Sequence, residues 1–290
     1  MKILVTADLH YDIARSREGT ESLARRVCRM QADALVLLGD SAGSDIGILA
    51  KCLKLFGSFA GRKFIVPGNH CLWCRDAGEN SLNRYERILP EVAMQEGFAY
   101  LDHHPTVLGE VGLVGSIGWY DYSTRDESLA LPLAFYEAKM APRAAQYYGL
   151  DSLVEAHRGE IPPRLMELGA RWMDGQNVRL GMSDEQFTQM VLARMESQIQ
   201  AIENQVQRVA VFMHHVPFRE LVPTGRPDRF AFAAAYMGST RFGEMLLRYP
   251  KVRDVFCGHV HWPMTIKVQQ LTAVSVGSTY EHKRLATLEV

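Results

Sequence analysis

Short apolar runs, each closed by a glycine, a carboxylate or a histidine, set the rhythm of this chain. Ile3-Leu4-Val5 leads to Asp8-Leu9-His10, Leu35-Val36-Leu37-Leu38 leads to Gly39-Asp40, and Phe64-Ile65-Val66 leads to Gly68-Asn69-His70. Between them, apolar residues fall at helical spacing: Leu23, Val27 and Met30 over residues 20–31, then Ile46, Leu49, Leu53 and Phe56 over 45–59. Short β-branched or Leu-rich runs read as strands, and the i, i+3, i+4 spacing reads as amphipathic helix. Strand, helix, strand, helix, strand predicts an α/β fold. After Tyr100 the pattern changes. Val107-Leu108 and Val111-Gly112-Leu113-Val114, separated by Gly109-Glu110, predict a hairpin.

Residues 119–182 break the rhythm with Ala-rich stretches, Pro162-Pro163 and few β-branched residues, and they read as a helical insertion. Ser183 with Gln186 three residues later fits a capping box, opening a long helix from about Asp184 to about Arg208. Its stripe of Phe187, Met190, Val191, Met195, Ile199, Ile202 and Val206 is a core-facing surface. That helix delivers the chain to Val209-Ala210-Val211-Phe212-Met213, which ends at His214-His215. A helix near Phe242 to Tyr249 precedes strands at 253–257, 264–268, 271–276 and 285–289, and the first of these exits at Gly258-His259-Val260-His261.

With 290 residues and 47% apolar content, the chain can bury a sizeable core and is long enough for one large domain or two small ones. The net charge of −1 provides no global basic field. The insertion carries seven Lys/Arg and nine Asp/Glu, 7 − 9 = −2, so long nucleic acid is an unfavoured partner. No apolar run approaches the length of a membrane span, and the first is too short for a signal segment, so a cytoplasmic protein is expected. Cys28, Cys52, Cys71, Cys74 and Cys257 are odd in number and scattered. They form neither a disulfide framework nor a zinc ribbon, and Cys71-x-x-Cys74 reads as two small apolar residues of a buried loop before it reads as a redox pair.

The chemistry sits at the strand exits. In an extended segment side chains alternate with period two, so Asp8 and His10 are expected on one side, and His259 and His261 likewise. Asp40 and Asn69 stand beside glycines that allow a sharp turn. Asp8, His10, Asp40, Asn69, His214, His259 and His261 form a candidate metal-ligand set. Mixed nitrogen and oxygen donors suit Mn²⁺ first, then Fe or Zn²⁺, over Ca²⁺ or Mg²⁺. Two such ions, roughly 3.5–4 Å apart, can acidify a bridging water and hold the oxygens of a phosphoryl group under in-line attack.

Taken in order, Asp8-x-His10, Gly39-Asp40, Gly68-Asn69-His70, His214 and Gly258-His259-x-His261 resemble the signature of the calcineurin-like metallophosphoesterases. The resemblance covers nearly the whole chain apart from 119–182. It implies an α/β fold, a four-layer α/β/β/α sandwich of two mixed sheets, in a single domain spanning 1–290. It implies two metal ions: Asp8, His10, Asp40 and His261 on the first, with Asp40 bridging to a second completed by Asn69, His214 and His259. A hydroxide bridging the two ions would be the nucleophile. His70 matches the catalytic histidine that binds the phosphate or protonates the leaving group, a role suited to a pKa near working pH. His214 rather than His215 is taken as the ligand, because the first His of the family's pair plays that part. Val216 stands where the family often has Pro, and Cys71 where an acidic residue usually follows the catalytic His.

These features predict a metal-dependent phosphodiesterase acting on a small or nucleotide-type phosphate ester. A phosphomonoesterase, including a protein phosphatase, comes next, then a nuclease, then a non-catalytic interaction module, which the filled ligand positions disfavour. Trp119-Tyr120-Asp121-Tyr122 is expected to pack the insertion onto the core before it lines the cleft. Trp262 follows the last ligand. Arg75, Arg125 and Lys283 could contact phosphate, but nothing in the spacing selects one, and each reads first as a solvated surface side chain. His103, His104 and His157 are expected in solvent, and His282 lies in a late loop within reach of the site. Oligomeric state has no signal in the sequence.

Overall fold

The computed structural model describes residues 1–76 and 78–290. Its strands are β1 (Lys2–Ala7), β2 (Ala34–Leu38), β3 (Arg62–Val66), β4 (Ala99–Tyr100), β5 (Thr106–Leu108), β6 (Val111–Ser116), β7 (Arg208–Met213), β8 (Val252–Cys257), β9 (Met264–Val268), β10 (Leu271–Ser275) and β11 (Ala286–Glu289). They form a five-stranded sheet in the order β11-β1-β2-β3-β4 and a six-stranded sheet in the order β5-β6-β7-β8-β10-β9. In the first, β1 to β4 are parallel and β11 is antiparallel to β1. In the second, β6, β7, β8 and β10 are parallel, with β5 and β9 antiparallel on the edges. The expected hairpin is β5–β6, with Leu108 opposite Val111.

The period-two alternation of strand side chains builds the layers. Ile3, Val5, Ala7, Val36 and Phe64 of the first sheet share one buried cluster with Leu113, Ala210, Phe212 and Phe256 of the second. The alternate residues Leu4, Leu35, Leu37 and Ile65 point the other way, into a cluster with Leu23, Val27, Leu53 and Phe56 of the helices over the first sheet. Val209, Val211 and Met213 do the same toward Phe187, Val191 and Ile199 of the long helix. Helix, sheet, sheet, helix is therefore the stacking order, and strands buried on both faces explain the continuous apolar runs. Each fully buried aliphatic side chain contributes roughly 1.5–3 kcal/mol.

Two helices depart from the expected bounds. The first runs Ala14–Val27, starting earlier than residue 20. Its first turns bury Ser16 and Thr20, and Thr20 Oγ1 donates to the Leu9 carbonyl at 2.9 Å, so small polar residues hide the amphipathic signal. The long helix begins at Asp184 behind the expected Ser183–Gln186 capping box but ends at Ile202. The chain must straighten for β7, and the Lys251 ammonium donates to the carbonyls of Glu203 (2.7 Å) and Val206 (2.9 Å) at that break.

Residues 119–182 hold short helices, among them Leu133–Glu137, Pro142–Tyr147, Asp151–Ala156 and Asp174–Asn177. Trp119, Tyr120 and Tyr122 are fully buried and pack this segment onto the core. The Asp184 carboxylate takes donors from Trp119 Nε1, Tyr122 Oη and Lys139 Nζ, which ties the segment to the long helix. Asp102 is also buried and accepts from Tyr85 Oη (2.7 Å) and the Ile117 N–H. Among the described residues no helix is long and apolar enough to cross a membrane.

Candidate metal centre

The parallel strands of both sheets end at one edge, where an open α/β sheet presents its loops to a ligand. Main-chain bonds stitch those loops together. Asp8 N–H donates to the Gly39 carbonyl (3.2 Å), His10 N–H to Asp40 (2.8 Å), Gly39 N–H to Val66 (2.8 Å) and Gly258 N–H to His214 (3.1 Å). The glycines are required by closeness as well as by conformation. A Cβ on Gly39, whose φ is +74°, would lie 2.2 Å from His214 Nδ1, and one on Gly68 would lie 2.2 Å from Asp40 Oδ1.

The period-two argument for Asp8-x-His10 and His259-x-His261 does not hold. β1 and β8 stop short of these residues, and all four have left-handed backbone: φ is +54° at Asp8, +43° at His10, +68° at His259 and +51° at His261. Asp40 joins them at +46°. Side chains with a Cβ pay roughly 1–2 kcal/mol in that region, and such strain gathers at functional sites. Successive loop residues, not strand alternation, aim these side chains at one point.

All eight predicted site residues meet there. Ligating atoms of Asp8, His10 and His261 lie within 4.8 Å of one another, as do those of Asp40, His214 and His259, and those of His10, Asp40 and His70. Asp40 Oδ2 faces the Nε2 atoms of His214 (3.5 Å), His10 (3.7 Å) and His70 (3.9 Å). Asp8 Oδ1 lies 3.5 Å from His261 Nε2, and the Nε2 atoms of His10 and His261 are 3.3 Å apart.

Hydrogen bonds around the site decide which atoms look inward. His214 Nδ1 donates to the Leu38 carbonyl at 3.0 Å, which turns its Nε2 inward toward Asp40. His259 Nε2 donates to the Tyr236 carbonyl at 3.2 Å and leaves Nδ1 bare. Asn69 spends its Nδ2 on the Asp174 carboxylate (3.0 and 3.2 Å), so its Oδ1 faces His214 Nε2 at 3.3 Å. His10 Nδ1 is buried without a partner. Imidazole nitrogens, carboxylate oxygens and an amide oxygen thus converge, with the backbone N–H of His70 on Asp40 Oδ1 (3.0 Å) and that of His259 on the Asp8 carboxylate (3.0 and 3.1 Å). That donor set fits divalent cations.

The electrostatics agree. Burial raises the Asp40 carboxyl, and the charges of His70, His214 and His10 more than reverse this, holding it well below the usual range. Burial raises Asp8 likewise, and His261 leads the charges that bring it below its ordinary value. Burial lowers His214, but Asp40 overcomes it and pushes the ring up to about 9. His10 is driven down to about 3, chiefly by burial.

Residues outside that set lie around it or away from it. His215 packs behind His259, 4.4 Å between ring centroids, and donates from Nδ1 to the Ile117 carbonyl at 2.9 Å. His282 is exposed, and Tyr280 from the same loop reaches the site, 4.9 Å from His10 and 5.1 Å from His261. Lys283 donates to the carbonyls of Asp8 and Thr279, both at 2.7 Å, and serves the loop rather than the cleft. Arg75 pairs with Asp45 at 3.1 Å, and Arg125 donates to the Tyr122 carbonyl at 3.3 Å. His103 is not in solvent: it packs against Tyr100 and Tyr85, and burial pushes it down to about 4. His157 is partly buried beside Glu160 (2.9 Å), whereas His104 is exposed. Cys71 accepts from the Gly68 N–H at 3.4 Å, and burial raises its thiol to about 12, away from the thiolate that redox exchange requires. Cys74 contacts Ser81 Oγ at 3.3 Å.

A cavity of about 360 Å³ opens over His70, Asp40, His259 and His261. Its far wall is apolar, built by Val222, Pro223, Phe230, Ala233 and Met237, with Trp172 and Tyr280 beside the ligands and Arg226 at the rim. The Arg226 guanidinium lies over the rings of Trp262 (5.0 Å) and Phe230 (5.7 Å). Trp73, Trp172, Arg226, Phe230, Tyr280 and Asp174 escape sequence reasoning, because only the fold brings them to the ligands.

Residues 1–263 match the calcineurin-like phosphoesterase family, and the chain belongs to it. The fold is shared with solved structures. A phosphopantetheinyl hydrolase from Mycobacterium tuberculosis matches with a TM-score of 0.70 at 18% identity, over 98% of this chain and 95% of that one. A dimetal phosphatase from Danio rerio matches at 0.53 with 15% identity, over 99% and 91%. A protein of Thermus thermophilus, TT1561, matches at 0.53 with 13% identity, over 99% and 98%. No curated protein sequence matches the chain.

Proposed function

We propose that this phosphoester hydrolase is a dinuclear phosphodiesterase for a small or nucleotide-type substrate. The observation that carries this reading is the Asp40 carboxylate, placed between the His10 and His214 imidazoles, with His70 on its cavity side. Asp8, His10, Asp40 and His261 would hold one ion, and Asp40, Asn69, His214 and His259 the other, with manganese first, then iron or zinc. Bound there, the ions supply Lewis-acid polarisation of the phosphoryl oxygens and an acidified water. The residues do the rest. His70 is partly exposed, stacks on Trp73 at 3.8 Å and lines the cavity, where its imidazole can meet a phosphoryl oxygen or protonate a leaving alkoxide. The apolar wall takes an organic substituent and excludes water from it.

Beside the ions, the apolar wall offers room for a second organic substituent, which a diester has and a monoester lacks. The names of two proteins of similar fold, a phosphopantetheinyl hydrolase and a dimetal phosphatase, support small phosphate esters and two ions.

The test compares hydrolysis of bis- and mono-nitrophenyl phosphate with added Mn²⁺, together with bound-metal content and a His70→Ala variant. The expected outcome is diester preference, two ions per chain, and a loss of roughly 10²–10⁴-fold in the variant with its metals retained. Monoester preference would move the assignment to phosphomonoesterase. Two bound ions without turnover of either ester would sink both.

A further inference from the structure

Asp174 belongs to the 119–182 segment and stands 105 residues from Asn69 in the chain, yet its buried carboxylate touches the metal centre. Oδ1 accepts from Asn69 Nδ2 (3.0 Å) and Trp73 Nε1 (2.7 Å). Oδ2 accepts from Asn69 Nδ2 (3.2 Å), Tyr120 Oη (3.1 Å) and Trp172 Nε1 (2.8 Å). Each partner except Tyr120 is, or rests on, a residue of the site. Asn69 turns its Oδ1 toward His214 Nε2. Trp73 lies flat on His70, 3.8 Å between centroids with 21° between planes. Trp172 is stacked on Tyr236 at 5.0 Å and meets His259 edge-on at 5.7 Å.

We propose that Asp174 is the positioning residue of the metal centre. An amide can present either end, and its carbonyl and NH₂ differ only in the partners they find. A carboxylate accepts and cannot donate, so it fixes the NH₂ end of Asn69 and commits the carbonyl oxygen to the ligand side. The same two oxygens hold the indole N–H groups of Trp73 and Trp172, and those rings set the planes of His70 and His259. Residues 119–182 therefore contribute to chemistry through one side chain, by ordering groups they do not replace. Outer partners of this kind typically carry roughly 10–100-fold in metal affinity or activity. This inference rests on the reading of Asn69 as a ligand.

The experiment titrates Mn²⁺ into chelator-stripped protein by calorimetry, for wild type, Asn69→Ala, Asp174→Asn and the double variant. The unfolding midpoint of each metal-free protein is measured alongside. Asn is close to Asp in shape, but it presents one NH₂ where Asp174 accepts, so it meets the donors with a donor. The expected result is a roughly 10–100-fold weaker second ion in Asp174→Asn with the first ion unchanged, and a smaller further loss when Asp174→Asn is added to Asn69→Ala than when it is made alone. If Asn69→Ala binds both ions as wild type does, the ligand reading falls and this inference with it. If Asn69→Ala loses an ion and Asp174→Asn binds both normally, the positioning role alone is overturned. Equal weakening of both ions that tracks a lowered metal-free midpoint would also overturn it, since that marks a merely structural carboxylate. Should Asp174→Asn not fold, Trp172→Phe decides. It keeps the ring and removes one N–H, and it is expected to weaken the second ion several-fold; unchanged affinity refutes the role.

Discussion

Asp40 and Asp174 are both buried aspartates at the same sheet edge, and their surroundings are opposites. Asp40 Oδ2 looks at three imidazole nitrogens at 3.5–3.9 Å. Asp174 receives N–H or O–H groups from Asn69, Trp73, Tyr120 and Trp172. Asp184 resembles Asp174, with donors from Trp119, Tyr122 and Lys139. A carboxylate ringed by donors is complete and holds structure. One with a backbone N–H on one oxygen and imidazole nitrogens around the other can share a cation with them. Burial alone does not separate the two classes. The sign of the groups facing each oxygen does.

The sharpest break of this contrast is Asp40→Asn. Losing the shared carboxylate is expected to remove several kcal/mol of transition-state stabilisation, roughly 10³-fold in rate, and to lower metal content. Retention of both ions, read by elemental analysis, would place Asp40 with the structural carboxylates. Asp184→Asn works on the other class. It leaves the largely buried Lys139 ammonium unpaired and is expected to cost roughly 3 kcal/mol in urea unfolding. Metal content per folded molecule is expected to stay at the wild-type value, and a fall there would blur the division.

Asp102 tests an intermediate case, with two donors and a carboxyl that burial pushes up to about 7. The folded state then holds this proton through a range where the unfolded chain has released it, so the contribution to stability is full below about pH 4 and is lost as pH rises through about 7. Asp102→Asn has no such titration. Its stability relative to wild type is expected to improve with rising pH across that window, by up to about 1.4 kcal/mol per pH unit. A flat difference in denaturation midpoints would mean that Asp102 holds no such proton in the folded state. The smallest effect is expected at the cavity wall. Phe230→Ala removes about 1 kcal/mol of apolar contact and is expected to raise KM for an aryl diester roughly 5-fold with kcat little changed. An equal fall in kcat would give the wall a part in chemistry.

The convergence of the candidate ligands was legible in the sequence, and the structural carboxylates were not. Asp8, Asp40, Asn69, His214 and His259 follow apolar runs that can only be buried strands, and parallel strands end at a common edge. Asp174 sits among polar residues of an irregular segment, where an aspartate normally faces solvent. Its four partners come from three separate stretches of chain, and no local pattern records that meeting. The loops misled in another way: alternation along a strand would be enough to pair Asp8 with His10, but the pairing depends on left-handed backbone that propensity does not foresee. Ser16 and Thr20 hid a helix start because their buried face is small and polar.

The left-handed residues also bear on how this chain would respond to selection in the laboratory. At Asp8, His10, Asp40, His259 and His261, replacement by glycine would relieve a conformational cost of roughly 1 kcal/mol each, and at His10 it would also remove an orphaned polar atom. A library sorted only for heat resistance or solubility, in the presence of chelator, is therefore biased toward losing these side chains. The hardiest descendants would be well-folded sandwiches with nothing left to bind.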